Sequence, residues 1–267
     1  MNWRGTTSPT AAFFDLDGTL TALPSLERRF LGELQKRGAI PARNYFLWLA
    51  RALWLAPRGI AMIRHGNKMY LRGLCASGRG ARKGGQPPRQ GSGQAKMAVP
   101  RLFPEGVDQV AWHARKGHSI VLVSGTLAPL AQEMALALVV RLAVRGIATS
   151  VAVCATHLEE KDGRWTGQII GDAMFGEAKG RAVRRLAKEK SFDLARCYAY
   201  GDGLSDRWML EAVGRACVVN PSAEMQELAR RKDWPTVRWH DPKMLTERSA
   251  SELGASGHGE RAWEKAG

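Results

Sequence analysis

Acidic residues are scarce in one long segment of this chain. Residues 21–100 hold 15 Lys and Arg but only two acids, Glu27 and Glu33, while the other residues hold 25 Lys and Arg and 23 acids. Most of the formal net charge of +15 therefore lies in that segment. Because the rest of the chain is close to neutral, attraction to anions is expected of residues 21–100 and not of the whole protein.

Cysteines are few, and their spacing matches neither a disulfide framework nor a metal site. The four are Cys75, Cys154, Cys197 and Cys217. The last three lie in or beside apolar, strand-like runs, which predicts that they pack in the core. Cysteines used in this way suit a reducing compartment, so we expect a cytoplasmic protein.

Long apolar runs are also lacking. No stretch ahead of the first acidic motif is long and apolar enough for a signal peptide. Helices predicted at 44–56 and 128–144 are strongly apolar, but Arg51 and Arg141 interrupt them. The first is also shorter than the about 20 apolar residues that cross a bilayer. The sequence predicts no membrane-spanning helix and leaves peripheral contact with a membrane as an alternative location.

A strand that ends in two carboxylates lies near the start of the chain. The apolar run of residues 12–16 contains Asp15 and leads into Asp17 and Gly18. Asp15 and Asp17 are two residues apart, so both face the same side of an extended segment. Two acids this close repel each other unless a cation or a shared proton lies between them, and a hard cation such as Mg²⁺ suits oxygen ligands. A solvated turn is the alternative for this stretch taken alone.

Three later stretches place polar residues beside predicted strands and helices. Ser124 and Gly125 follow an apolar strand, and Lys179 lies at the start of a basic helix. Asp202 follows another strand, and Asp206 lies four residues on, where a helix begins. Taken singly, these residues have structural alternatives: a strand-end serine, a surface lysine and a helix N-cap.

The order of predicted elements indicates the fold class. Strands alternate with helices after residue 100, which predicts a doubly wound, mostly parallel Rossmann-like α/β sheet with helices on both faces. Residues 21–72 are predicted to be helical, with Asn44 capping the helix that runs to residue 56. The predicted organisation is a core of residues 1–20 and 100–240, an inserted helical and basic cap of residues 21–99 with a flexible Gly-rich loop at 75–96, and a disordered tail of residues 241–267.

The stretch with Asp15 and Asp17 and the three later stretches resemble the four motifs of the haloacid-dehalogenase-like (HAD) superfamily, in the same order. The three later ones contain Ser124 and Gly125, Lys179, and Asp202 and Asp206. The similarity is greatest to the phosphoserine-phosphatase-like branch, subfamily IB, and covers about residues 11 to 221. It implies that Asp15 is the nucleophile, which forms an aspartyl-phosphate, and that Asp17 is the general acid and then the general base. It also implies that Lys179 neutralises the nucleophile and the phosphate.

The resemblance further implies a phosphate site and a metal site. Ser124, Gly125 and Lys179 would hold the phosphoryl oxygens. The Mg²⁺ ligands would be Asp15, the backbone carbonyl of Asp17, and Asp202, with Asp206 ligating or supporting the metal. The resemblance thus implies a Mg²⁺-dependent phosphomonoester hydrolase. A phosphotransferase of the same fold is one alternative. A protein that binds anionic lipid or nucleic acid surfaces, with minor hydrolysis, is the other.

Two positions depart from the phosphoserine phosphatases. Those enzymes carry an acid nine residues after the nucleophile, which reads the substrate amine, and here that position is Pro24. Gly18 stands where they usually have Ser. The resemblance therefore does not predict phosphoserine as the substrate. We expect a small phosphorylated substrate, with a multiply anionic compound or a lipid as narrower alternatives, and no specific nucleic acid.

The helix predicted at 44–56 has two interpretations. It is apolar nearly all round, and such helices are normally buried, so we expect it to pack inside the cap. Burial explains its aromatic residues but not the charge of the segment. The alternative is contact with an anionic membrane, where Lys and Arg supply attraction and Trp and Tyr favour the interface.

Overall fold

Seven strands form one sheet in the order β4-β3-β2-β1-β5-β6-β7. The structure, a computed structural model, describes residues 9–75 and 101–240, so residues 76–96 of the predicted loop at 75–96 and the predicted tail at 241–267 lie outside the described residues. All neighbouring strands pair in parallel except β3 and β4, which form an antiparallel hairpin. The strands are β1 (Ala11–Phe14), β2 (Ser119–Leu127), β3 (Val151–Lys161), β4 (Arg164–Ile170), β5 (Tyr198–Gly201), β6 (Arg215–Val219) and β7 (Thr236–Val237).

Helices cover both faces of this sheet. The helices are α1 (Leu26–Lys36), α2 (Ala42–Leu55), α3 (Ile60–Gly66), α4 (Pro104–Arg115), α5 (Ala128–Val144), α6 (Glu177–Lys190), α7 (Arg207–Leu210) and α8 (Ala223–Arg231). Strand β1 shows the two layers, because Ala12 and Phe14 pack with α4 and α5, while Ala11 and Phe13 pack with α6, α7 and α8. The predicted doubly wound α/β class is confirmed.

The chain leaves the sheet after β1 and returns to it before α4. Thr21 and Leu102 form an antiparallel bridge at this junction, and the Phe103 N–H donates to the Leu20 carbonyl at 2.9 Å. The described residues between these points, 22–75, carry α1, α2 and α3 and are called the cap segment below. The two ends of the insertion are therefore hydrogen-bonded neighbours on the core.

Helix α2 differs from its prediction at its start and in its surroundings. It begins at Ala42, and Asn44 does not cap it. The buried Asn44 amide instead donates to the carbonyls of Tyr70 and Arg72, which ties α2 to the end of the cap segment. The prediction that this helix is buried is wrong, since Phe46 and other apolar side chains are mainly exposed.

Some strand and helix boundaries also differ. Strand β2 continues through Ser124 to Leu127, so Ser124 does not end it; β3 pairs along this extension after a shift in register. The helix predicted to begin near Asp206 is a 3₁₀ turn, Leu204–Asp206, followed by the short α7. Among the described residues, no helix is both long enough and apolar enough to cross a membrane.

Candidate active site

Two neighbouring parallel strands bring the first carboxylates together. Asp15 follows β1 and Asp202 follows β5, and these strands pair with Phe14 opposite Tyr200. The Asp15 N–H continues the ladder by donating to the Tyr200 carbonyl at 2.9 Å. Because parallel strands end at the same edge of a sheet, both acids reach one site there.

Lys179 joins this site from the first turn of α6. Its side chain is buried, and Nζ lies 2.5 Å from Asp15 Oδ1 and 2.5 Å from Asp206 Oδ1. Burial lowers the pKa of Lys179, but the charges of Asp15 and Asp206 outweigh it and raise the pKa above its ordinary value. The ammonium therefore stays protonated and bridges the two carboxylates.

Asp206 is held in place by backbone donors as well as by Lys179. Its Oδ2 accepts the N–H groups of Asp202 and Gly203, each at 3.1 Å. Gly201 makes this approach feasible, because a Cβ there would lie 2.5 Å from the Asp206 Cβ. Asp206 thus holds the loop that carries Asp202. Its hydrogen bonds go to residues that precede it and not to the following helix, so it does not act as the simple N-cap offered as the alternative.

Three carboxylates form a set that fits a divalent cation. Oxygens of Asp15, Asp202 and Asp206 lie within 4.8 Å of one another. Burial raises the pKa of Asp15 to about 7 even though Lys179 lowers it. Burial, together with the charges of Asp15 and Asp206, raises the pKa of Asp202 to about 9. The raised pKa values show that Lys179 alone does not offset the crowded negative charge, and an all-oxygen donor set of this kind suits Mg²⁺.

Gly18 is required by the position of Asp202. Gly18 has φ +95°, and a Cβ on it would lie 2.2 Å from Asp202 Oδ2. The backbone conformation and the contact both exclude a larger side chain here. The space that a side chain at position 18 would occupy is filled by the Asp202 carboxylate.

Asp17 lies at the boundary between the core and the cap segment. Its carboxylate is outside the three-carboxylate set, and Oδ1 accepts the N–H of Leu26, the first residue of α1, at 2.7 Å. Burial raises the pKa of Asp17 to about 6, while the hydrogen bond from Leu26 lowers it. Asp17 therefore holds or loses a proton close to neutral pH.

Ser124 and Gly125 lie across the site on β2. Ser124 is buried, and its Oγ accepts the Thr126 N–H at 3.2 Å. Both residues line the cavity that also contains Asp15 and Asp17. The structure thus brings all the site residues predicted from the sequence to one edge of the sheet. Asp206 contacts Lys179 and the backbone of the loop that carries Asp202, whereas Asp17 accepts a hydrogen bond from the start of α1.

A cavity of about 950 Å³ lies between this edge and the cap segment. Its cap side combines polar and charged residues with apolar and aromatic ones, which include Leu23, Pro24, Leu31, Tyr45, Trp48 and Ile63. Glu27 is the acid on that side, and it accepts the Lys68 ammonium and the Tyr70 hydroxyl. This carboxylate is therefore already neutralised by an ion pair inside the protein.

His65 and Phe175 close one wall of the cavity. Their rings stack with centroids 3.7 Å apart and an interplanar angle of 12°, which joins α3 of the cap segment to the loop before α6. Burial lowers the pKa of His65 to about 4, and nearby cations, including Lys68 and Arg64, add to this effect. His65 belongs to no local sequence motif, and only its tertiary contact with Phe175 reveals its place in the cavity wall.

Comparison with known proteins gives a family and related structures. The sequence pattern of the haloacid dehalogenase-like hydrolase family matches residues 12–211. A protein of Mycobacterium tuberculosis named as a probable phosphatase is 30% identical over 253 residues, which cover 91% of this chain and 81% of that protein. The match to the family, residues 12–211, includes all the carboxylates of the site.

Two solved structures share the fold. A Bordetella pertussis protein of unknown function has a TM-score of 0.62 and 24% identity, and the match covers 86% of this chain and 99% of that one. A phosphoserine phosphatase solved with an analogue of its phospho-aspartyl intermediate has a TM-score of 0.54 and 15% identity, covering 91% and 99%. At these identities the likeness concerns the fold alone.

Proposed function

Because this chain belongs to the haloacid dehalogenase-like hydrolases, we propose that it is a Mg²⁺-dependent phosphomonoester hydrolase that works through an aspartyl-phosphate on Asp15. The observation that carries the proposal is the buried Lys179 ammonium, which bridges Asp15 and Asp206 beside Asp202. This arrangement keeps Asp15 next to a fixed positive charge, where an incoming phosphoryl group also gains stabilisation.

The proposed reaction has two steps. In the first, an Asp15 carboxylate oxygen attacks phosphorus, the bond to the leaving oxygen breaks, and Asp17 gives its proton to that oxygen. In the second, Asp17 takes a proton from water, the water oxygen attacks phosphorus, and the bond to Asp15 breaks to release inorganic phosphate. A pKa of about 6 suits Asp17 to both proton transfers near neutral pH.

The remaining residues position the phosphoryl group. We assign Lys179 to its oxygens on one side, and the Ser124 hydroxyl and the Gly125 backbone N–H on the other, because all three line the cavity beside Asp15. Asp15, Asp202 and Asp206, with the backbone carbonyl of Asp17, would hold Mg²⁺. When bound, the cation would offset the negative charge shared by the phosphoryl oxygens and the carboxylates.

The charge of the cap side favours a particular kind of leaving group. Arg28 and Arg64 line the cavity, and neither has an ion-pair partner among the described residues. Glu27 is engaged with Lys68, so the described residues that line the cap side offer no unpaired carboxylate to a substrate ammonium. We therefore propose a small phosphomonoester whose leaving group has an apolar part and a further negative charge.

The test of the reaction is to trap the covalent step. Asp17→Asn removes the group that activates water, so the protein incubated with an aryl phosphate and Mg²⁺ should gain one phosphoryl group at Asp15, detected by intact mass and peptide mapping. Asp15→Asn is the matched control and should gain none. A folded Asp17→Asn protein that turns over normally without labelling would contradict the assignment.

The same assay separates the alternatives. With the parent protein and added alcohols, an alkyl phosphate product would identify a phosphotransferase, which shares the first step but uses another acceptor. Absence of both phosphate release and labelling across a panel of phosphomonoesters would favour a protein that binds anionic surfaces through its basic cap.

A further inference from the structure

Helix α2 exposes an apolar face to solvent. Phe46, Leu49 and Leu53 follow one another at helical spacing and are 72%, 52% and 68% exposed. Trp54, next to Leu53, is also more than half exposed. We call these four residues the α2 face. Single exposed apolar residues are common, whereas a row of large ones that includes an exposed Trp forms a contiguous apolar patch, which needs a second feature to identify its partner.

The opposite side of the same helix faces the interior. Asn44, Ala52 and Leu55 are buried, and Tyr45 and Trp48 line the active-site cavity. The exposure of the α2 face is therefore not a sign of an undocked helix. The helix is anchored through its inner side, and its outer side remains available for a partner.

The surroundings of the α2 face are positively charged. The guanidinium carbons of Arg51 and Arg58 each lie 4.2 Å from the Trp54 ring centroid. The sequence has no acid between Glu33 and Glu105. A second copy of this chain would bring the same cations to the contact, and residues 76–100 would bring further basic residues without an acid, so both occupants are disfavoured by like charge.

We propose that the α2 face docks on an anionic lipid bilayer. Lipid supplies an apolar phase for Leu49, Leu53 and Phe46 and negative headgroups for the arginines at the same boundary, which neither a soluble anion nor a nucleic acid does. Docking places the cavity, lined by the inner side of α2, next to the membrane surface. It does not require the proposed hydrolysis.

The test compares two pairs of exposed apolar residues on different helices. Leu49→Glu/Leu53→Glu changes the α2 face. Leu136→Glu/Val140→Glu adds the same charge to α5, where the two side chains are 64% and 53% exposed. Neither pair lines the cavity. Binding of the full chain is measured by sedimentation with vesicles of equal parts phosphatidylglycerol and phosphatidylcholine, and with phosphatidylcholine alone.

The parent protein should sediment with the anionic vesicles and not with the neutral ones, and raising the salt to about 1 M should release it. The α2 pair should weaken binding at least about tenfold and the α5 pair at most about threefold. Trp54 fluorescence should be quenched by brominated lipid, and Trp54→Phe should remove that quenching. Asp15→Asn should bind as the parent does, which separates docking from catalysis.

Three results would overturn the proposal. They are equal sedimentation with both kinds of vesicle, equal losses in the two double variants with unchanged thermal unfolding, and no quenching of Trp54 at saturating vesicles. A fourth result would assign the α2 face to nucleic acid instead. In that case a single-stranded oligonucleotide would displace the parent protein from vesicles, and the same oligonucleotide would not bind the Leu49→Glu/Leu53→Glu variant.

Discussion

The carboxylate site of the core and the cap segment place opposite charges at the cavity. In the core, Asp15 and Asp206 share the Lys179 ammonium beside Asp202, and burial together with the neighbouring carboxylates raises the pKa values of Asp15 and Asp202. In the cap segment, the acid that faces the cavity, Glu27, is already paired with Lys68, while Arg28 and Arg64 at the cavity have no ion-pair partner among the described residues. One side of the cavity attracts a cation, and the other attracts an anion.

This difference divides the work between the two regions. The residues that would make and break bonds to phosphorus come from strand ends and the start of α6, which packing holds rigidly. The residues that would meet the leaving group come from an inserted helical segment. Changes in the core should therefore affect every substrate, and changes in the cap segment should alter the ranking of substrates.

The largest effect is expected from Asp15→Asn. An amide cannot form the acyl phosphate, so release of phosphate from an aryl phosphate should fall at least about 10³-fold. Thermal unfolding should not move to lower temperature, because the change removes a charge whose burial raises its pKa. Asp172→Asn, on an exposed carboxylate, is the control and should keep full activity. Equal activity in the two variants would break the comparison.

A smaller and more selective effect is expected from Gly18→Ala. Its Cβ would lie 2.2 Å from Asp202 Oδ2, so Asp202 must move. After chelation of all metal, the Mg²⁺ concentration that restores half of the activity should rise at least about tenfold. Gly146→Ala is the matched control, because Gly146 also has positive φ but no atom within 4 Å of the added Cβ.

Both alanine variants should lose about 1–2 kcal/mol of stability from backbone strain. Only Gly18→Ala should change the Mg²⁺ requirement. If Gly146→Ala shifted the Mg²⁺ titration equally, strain alone would explain the result, and the contact between Gly18 and Asp202 would have no role in the metal site.

The smallest effect is expected from the cap segment. Arg28→Ser/Arg64→Ser should lower the ratio of kcat/KM for a doubly anionic phosphomonoester to that for a neutral aryl phosphate about fivefold, since each exposed cation contributes under about 1 kcal/mol. Arg141→Ser on α5 removes an exposed cation remote from the cavity lining and should leave the ratio unchanged. A uniform loss on both substrates would show that the arginines do not read the leaving group.

Local signals predicted most of the core. The predicted basic helix that carries Lys179 is α6, Glu177–Lys190, and the strands predicted beside Ser124 and Asp202 are β2 and β5, because periodicity and apolar runs are read over short distances. The four motifs predicted which residues meet at the sheet edge for the same reason. Each lies at a strand end or a helix start, and the parallel topology then fixes their meeting.

The cap segment was much less predictable. Apolar composition on all sides of α2 does not indicate which side meets the core, so its outer face was wrongly expected to be buried. Glu27 contacts Lys68 and Tyr70, which lie 41 and 43 residues further along the chain, and no short sequence pattern encodes such contacts. The fold class came from alternation along the chain, whereas the cavity lining depends on how three helices pack.

The bridge between Thr21 and Leu102 makes the cap segment an exchangeable part. The chain leaves the core at Thr21 and returns at Leu102, and these two residues pair with each other, so the two ends of the insertion are adjacent. A graft of another helical insert need only present two ends about 5 Å apart to be accommodated without moving β1 or α4. Among related proteins, substrate specificity can therefore change through replacement of the insertion while the catalytic core is kept.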